Sequence, residues 1–179
     1  MKKTEQKYQA FVQILKEELI PGCTEPISLA YGASIARKVL NHLPTKIVVE
    51  ASGSIIKNVK SVIVPHTHHL KGIKAAVCAG IIGGNDDKYL EVLSQIDEKT
   101  KKEIDQYIEK VDFEEHFLDS SKVFDYIITV WNKKEYVKVR NRWQALAPTI
   151  GTQHRLFPVP MVEIKQNPHL QGDQNPGLN

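Results

Sequence analysis

The amino-acid sequence predicts an α/β (or α+β) fold in which helices pack on a small mixed sheet. Stretches with apolar residues at helical spacing alternate with short β-branched runs, and Pro, Gly or Asn residues separate the two kinds of segment. The chain has 179 residues, of which 41% are hydrophobic and 25% are charged. This length and composition are sufficient to bury a hydrophobic core and are typical of a globular protein.

Two helices are predicted in the first quarter of the chain. Residues 5–19 carry apolar side chains on one helical face, and Pro21-Gly22 ends this segment. Residues 25–42 predict the second helix, because large apolar residues repeat at four-residue steps along one face. These residues are Ile27, Tyr31, Ile35 and Val39.

The next part of the chain combines strand and helix patterns. Residues 45–51 and 59–65 are β-branched and predict two strands, with residues 52–58 as the connector between them. Residues 69–83 are rich in small residues and predict a helix. Gly83-Gly84 then provides a helix end.

Two further helices and a strand pair complete the predicted elements. Residues 87–96 and 99–111 have helical spacing, and the second segment alternates acidic and basic residues as an exposed helix does. Residues 125–131 and 135–139 predict strands that pair around a turn at Asn132.

Charge and composition exclude several function classes. The formal net charge is +3 and the basic residues are mostly interspersed with acidic ones, which predicts no nucleic-acid partner. No run has the apolar length of a membrane span, and the N-terminus lacks the apolar core of a signal peptide. The two cysteines are too few for a disulfide framework and fit a reducing compartment. We therefore expect a cytoplasmic protein.

The composition changes near residue 140. Three of the four arginines and five of the nine prolines follow this point. The last segment has no sustained helical or strand period, which is unusual inside a compact domain. The sequence therefore predicts two portions, residues 1–139 and an irregular, proline-rich segment over residues 140–179.

The stretch "IPGCTEPISL" over residues 20–29 is the strongest candidate for chemistry. Thr24 is a good helix N-cap, and Glu25 and Pro26 suit the first turn of a helix. Cys23 would then precede a helix N-terminus, where a thiolate is stabilised. A thiolate can act as a nucleophile or an iron–sulfur ligand. The alternative is that Cys23 is a small buried apolar residue beside a turn.

Two motifs resemble one family. "PGCTEPISLAYGASIAR" resembles the opening motif of the L-cysteine desulfidase family, which is related to the L-serine dehydratase alpha domain and to UPF0597-type proteins. A second block, "SGSIIKNVKSVIVPHTHHLKGIKAAVCAGIIGGNDDKYLEVL", resembles the next region of that family in order and spacing. The resemblance covers roughly residues 5–138 and implies the N-terminal part of a serine-dehydratase-alpha-like fold.

The resemblance implies a lyase that cleaves L-cysteine (or L-serine) to pyruvate and ammonia with release of sulfide (or water). It implies a [4Fe–4S] cluster and a small amino-acid substrate, with Cys23 as one cluster ligand. By the same resemblance, Glu25, Lys57 and Asn58 are catalytic candidates. Thr24, Thr67 and Gly72 are substrate-binding candidates.

The chain departs from the family pattern in two ways. The other two cluster ligands of the family lie in a C-terminal half that this sequence does not contain, and Cys78 is interpreted as a packing residue. A cluster normally needs three or four thiolates, so we expect no activity from the chain as written. The second departure is "HTHH" at residues 66–69, where the family has a small, glycine-rich turn. These histidines predict a solvated turn or pocket lining, with a metal site as the less favoured alternative.

The end of the chain resembles a different family. "RLFPVPMVEIKQNPHLQGDQNPGLN" resembles the C-terminus of SusD/RagB-like glycan-binding outer-membrane proteins over roughly residues 142–179. Our hypothesis is a composite or truncated chain. A SusD-like glycan-binding fragment and a non-enzymatic domain that has lost the cluster are the alternatives. The oligomeric state stays open, and a homo-oligomer is compatible with the sequence.

Overall fold

In a computed structural model of the chain, residues 24–133, 135–143 and 161–166 are described. Their helices are α1 (Thr24–Leu40), α2 (Gly53–Val59), α3 (Gly72–Gly83), a 3₁₀ helix (Asp86–Glu91) and α4 (Glu98–Lys110). Their strands are β1 (Lys46–Ala51), β2 (Asp112–Phe117), β3 (Phe124–Trp131), β4 (Glu135–Trp143) and β5 (Met161–Gln166). The predicted helix over residues 5–19 lies outside the described residues.

The five described strands form one mixed sheet in the order β2-β1-β3-β4-β5. β1 pairs with β2 in parallel, whereas the other three pairs are antiparallel. The segment from α2 to α4 provides the long connection that a parallel pair requires. The predicted class, helices packed on a small mixed sheet, is confirmed.

Helices α1 and α3 pack against each other, and α1 also packs on β3 and β4. Alternate residues of β1 and β4 are buried, as expected where helices cover one face of a sheet, whereas β3 is buried continuously over residues 125–130. The buried strand residues include Ile47, Val49, Ala51, Tyr126, Ile128, Val130, Val137 and Val139. The close helix pairing depends on small residues, since Gly80 of α3 lies against the backbone of Ala30 in α1.

The predicted connector at residues 52–58 and the predicted strand at 59–65 are both wrong. Residues 53–59 form helix α2, which buries Ile55 and Val59 one helical turn apart. The residues that follow form turns with a single bridge between Ile63 and Lys71. Burial of a helical face therefore outweighs the β propensity of this segment.

The predicted helix over residues 87–96 is also corrected. The segment is a 3₁₀ helix followed by turns, and Tyr89 has a φ of 51° that interrupts regular helix geometry. The Asn85 side-chain oxygen accepts a hydrogen bond from the Asp87 amide and begins this short helix.

The last part of the described sheet differs from the expected irregular segment. Residues 161–166 form β5, which pairs with β4 over six residues. β4 runs from Glu135 to Trp143, so the compositional change near residue 140 falls inside a strand. In the described ranges, no helix has both the length and the apolar character to cross a membrane.

Candidate functional site

The structure joins two of the predicted site residues at the start of α1. Glu25 lies in the first described turn of α1 and is half-buried, whereas Asn58 lies near the end of α2 and is exposed. The Asn58 Nδ2 atom donates a hydrogen bond to Glu25 Oε1 at 3.0 Å. The two residues are 33 positions apart in the sequence, and each belongs to a different one of the two motifs.

Local packing explains why these side chains meet. Pro26 and Ile27 are buried directly after Glu25, which holds this end of α1 against the core. Ile55 and Val59 are buried on one side of α2, so Lys57 and Asn58 are left on its exposed side. Thr24 lies within α1 and is half-buried, while Cys23 lies outside the described residues. Whether Thr24 caps the helix is therefore still a prediction.

The arrangement of Glu25, Asn58 and Lys57 suits a zwitterionic small molecule. Glu25 provides a carboxylate, which can accept an ammonium group or a proton. The Asn58 amide has a second N–H besides the one that bonds Glu25, and the exposed Lys57 ammonium adds a positive charge on the same helix. These groups are of the chemical types that bind the carboxylate and the ammonium group of an amino acid.

Two other predicted residues, Thr67 and Gly72, support the turn that leads into α3. The Thr67 hydroxyl donates to the Val64 carbonyl at 2.8 Å and accepts from the Leu70 amide at 3.2 Å. Gly72 begins α3 with a φ of 89°, a conformation that favours glycine. The structure gives these residues a role in the turn and does not join them to the Glu25–Asn58 pair.

His68 lies between two carboxylates of α4. Its Nδ1 atom is 2.7 Å from Asp105 Oδ2, and its Nε2 atom is 3.3 Å from Glu98 Oε2. Hydrogen bonds to Asp105 and then to Glu98 raise the pKa of His68 above its usual value. Although His68 contacts two carboxylates, no group of three His, Cys, Asp or Glu side chains in the part of the chain that the structure describes could hold a metal ion. His66, His68 and His69 are exposed, as a solvated turn requires, and the alternative of pocket lining stays a prediction.

Sequence reasoning missed a buried polar cluster beneath the first turns of α1. Ser28, Tyr126 and Asn141 are almost completely buried and hydrogen-bond to one another. The Asn141 side-chain oxygen is buried without a hydrogen-bond partner among the described residues. A signal was available, because Val137, Val139 and Asn141 alternate along β4 and the alternation directs Asn141 to the buried face.

The residues of this chain do not fit a [4Fe–4S] cluster by themselves. The sequence contains two cysteines, and Cys78 is a free thiol in the core that the structure buries completely. Burial raises the pKa of the Cys78 thiol to about 12, which keeps it protonated and unsuited to ligation. This agrees with the interpretation of Cys78 as a packing residue.

Comparison with known proteins supports the UPF0597 part of the first resemblance. The chain is 49% identical over 142 residues to a UPF0597 protein of Desulfitobacterium hafniense, an alignment that covers 78% of this chain and 33% of the relative. The matched part of the chain is homologous to the UPF0597 proteins. A UPF0597 protein of Treponema denticola is 51% identical over 106 residues, covering 58% of this chain and 25% of the relative. One of Lachnoclostridium phytofermentans is 50% identical over 98 residues, covering 54% and 24%.

The UPF0597 homology has a defined extent. The chain spans between 24% and 33% of the length of these three relatives. No protein-family model and no solved structure matches the chain. The comparisons do not support the SusD-like resemblance of residues 142–179. Most of that segment lies outside the described residues.

Proposed function

We propose that this chain carries part of the amino-acid-binding site of a UPF0597-type lyase that acts on L-cysteine or L-serine. The observation that carries the proposal is the hydrogen bond between Glu25 and Asn58. It brings together the two motifs on which the lyase resemblance rests, although they are far apart in the sequence. Homology to UPF0597 proteins at 49–51% identity adds support for the family.

In the proposed site, Asn58 and Lys57 bind the substrate carboxylate through an N–H group and a positive charge. In the intact enzyme, Glu25 would be the base that removes the proton from the α-carbon, because an ionised carboxylate within hydrogen-bonding reach can accept it. Loss of sulfide or water from the β-carbon would then leave an enamine, and its hydrolysis would give pyruvate and ammonia. The hydrogen bond from Asn58 fixes the orientation of the Glu25 carboxylate before substrate binds.

We expect the chain to bind the amino acid without turning it over. In the lyase family, an iron–sulfur cluster supplies the Lewis acid that activates the leaving group, and this chain offers only Cys23 as a family-type ligand. Amino-acid binding and pyruvate production are therefore separate questions for this chain. We also propose a cytoplasmic location, because the low cysteine content fits a reducing compartment.

The experiment is a titration of the ¹⁵N-labelled full chain with L-serine or L-cysteine, followed by NMR. We expect chemical-shift changes centred on the amides of residues 24–28 and 56–59. Glu25→Gln should weaken amino-acid binding about tenfold or more, since the charged hydrogen bond between the Glu25 carboxylate and the substrate ammonium group is lost. Glu109→Gln is the matched control, because Glu109 is an exposed glutamate on α4, and it should bind like the wild type.

Three results would contradict the proposal. The first is no shift change at any L-serine or L-cysteine concentration that stays in solution. The second is equal affinity for D-serine, because a defined substrate site should distinguish the enantiomers. The third is unchanged affinity in the Glu25→Gln variant.

A further inference from the structure

The buried polar cluster fixes the turn of α1 that follows Glu25. Tyr126 Oη donates to the backbone carbonyl of Ser28 at 2.6 Å. Ser28 is three residues after Glu25, so this bond ties the backbone of the candidate site to strand β3. Tyr126 and Ser28 are both 0% exposed, so solvent cannot replace the bond.

The hydrogen positions in the cluster follow from its donors and acceptors. The single Tyr126 hydroxyl hydrogen goes to the Ser28 carbonyl, so the Ser28 hydroxyl, at 3.1 Å, must donate to the Tyr126 oxygen. Asn141 Nδ2 lies 3.3 Å from both hydroxyl oxygens and donates to them. Asn141 and Tyr126 are directly opposite each other in the β3–β4 register. The sheet therefore presents the cluster to α1 as a preformed unit.

Two further features fit Tyr126 for this position. Gly32 leaves space for its ring, since a Cβ atom at Gly32 would lie 2.8 Å from Tyr126 Oη. Burial raises the pKa of Tyr126 to about 12, so the phenol stays protonated and remains a donor at neutral pH. The Tyr126 hydroxyl therefore provides a lasting hydrogen-bond donor at the contact between α1 and β3.

We propose that Tyr126, supported by Ser28 and Asn141, is a positioning residue that holds the first turns of α1 where Glu25 meets Asn58. This inference rests on the proposed function, because it assigns the cluster to the same amino-acid site. Hydrogen bonds between side chains tolerate only small displacements. Loosening the Ser28 carbonyl would move the Glu25 carboxylate away from the geometry that binds the substrate.

The test compares two buried tyrosines that make the same kind of bond. Tyr126→Phe removes the hydroxyl that bonds the Ser28 carbonyl and retains the ring. Tyr107→Phe is the matched control, because Tyr107 Oη donates to the Pro44 carbonyl at 2.9 Å and is also buried. Tyr126→Phe removes the bond that Tyr126 donates to the Ser28 carbonyl and the two that it accepts from Ser28 Oγ and Asn141 Nδ2, whereas Tyr107→Phe removes the bond to Pro44. Of these two tyrosines, Tyr126 is the one that bonds α1.

The readouts are L-serine affinity and hydrogen exchange of the amides of α1. We expect Tyr126→Phe to weaken L-serine binding about tenfold and to speed exchange selectively in the first turns of α1. Tyr107→Phe should bind L-serine within about twofold of the wild type. Ser28→Ala, which keeps the backbone carbonyl that Tyr126 bonds, should have a smaller effect than Tyr126→Phe.

The outcomes separate this inference from the proposed function. If the wild type does not bind L-serine, the proposed function fails, and hydrogen exchange alone judges whether Tyr126 holds α1. Equal effects of Tyr126→Phe and Tyr107→Phe on both readouts would overturn the positioning role. If Tyr126→Phe does not fold, Gly32→Ala replaces it. Its added Cβ atom would lie 2.8 Å from Tyr126 Oη and would displace the hydroxyl from the Ser28 carbonyl, so L-serine affinity and α1 exchange equal to those of the wild type would overturn the inference.

Discussion

Gly80 lies where α3 crosses α1, and its replacement by alanine tests whether this close approach sets the position of α1. An added Cβ atom at Gly80 would lie 2.2 Å from the Ala30 carbonyl oxygen and 2.7 Å from both Ala30 C and Cα. All three neighbours are backbone atoms, so no side chain can rotate away. Because contacts below 3.0 Å essentially never occur, the helices must separate by nearly 1 Å.

The energetic cost follows from two opposing contributions. Overpacking of a well-packed core costs about 1–3 kcal/mol, and backbone on both sides places Gly80→Ala at the upper end. The higher helix propensity of alanine offsets about 1 kcal/mol. The net expectation is a decrease of about 2 kcal/mol in the free energy of unfolding. In a chain of this size, that corresponds to a melting temperature about 4–8 °C lower.

Urea unfolding and thermal melting of Gly80→Ala measure this difference. Gly53→Ala is the control, because a Cβ at Gly53, the first residue of α2, would meet only a ring carbon of Phe117 at 3.4 Å. This is an ordinary contact, and the variant should be as stable as the wild type or up to about 1 kcal/mol more stable. If Gly80→Ala is as stable as Gly53→Ala, the described packing of α1 on α3 is incorrect.

Two further predictions concern the charged groups. Burial acts to raise the pKa of Asp125, but hydrogen bonds from Arg140 and Ser120 outweigh it and the pKa is lowered. Asp125→Ala should lower the free energy of unfolding, measured with urea, by about 2 kcal/mol. This is less than for a fully buried ion pair, because the Arg140 side chain is 28% exposed. A decrease below about 0.5 kcal/mol would contradict the prediction. The raised pKa of His68 means that its contribution to stability is present below about pH 6.5 and is lost as the pH rises through the raised value. The melting-temperature difference between wild type and His68→Gln should therefore be largest near pH 6 and disappear by about pH 9, and a difference independent of pH would refute the role of the Asp105 contact.

The sequence predicted elements well where local pattern and burial agree. The helix predicted at 25–42 is observed as Thr24–Leu40, and the strand pair around Asn132 is observed as β3 and β4. The Asn132 side-chain oxygen accepts from the Glu135 amide at 2.8 Å, which stabilises that turn. Local chemistry therefore determines these elements.

The prediction of a strand at residues 59–65 is wrong because of tertiary pairing, which local β propensity does not contain. Both edges of β1 are occupied, one by β2 and the other by β3. Residues 112–117, which come much later in the chain, thus take the position beside β1. The β-branched segment therefore lies outside the sheet. Its first residue, Val59, instead ends α2 and is buried in the core.

The candidate site was predictable as a set of residue types but not as a geometry. The family resemblance identified Glu25 and Asn58, but their contact depends on how α1 and α2 dock. The contacts of His68 with two carboxylates could not be predicted for the same reason, since Glu98 and Asp105 follow it by 30 and 37 residues. Contacts of this kind follow from the tertiary fold and not from spacing in the sequence.

The first turns of α1 belong both to the proposed amino-acid site and to the contact with Tyr126. Glu25 bonds outward to Asn58, and the Ser28 carbonyl bonds inward to Tyr126. A helical turn held from two sides loses little further conformational freedom when a ligand binds. The entropy of ordering this turn is therefore lost during folding and not during binding. Loss of the Tyr126 hydroxyl should therefore lower affinity even though Tyr126 has no contact with the ligand. Loss of the Tyr107 hydroxyl, which holds a different segment, should lower stability alone.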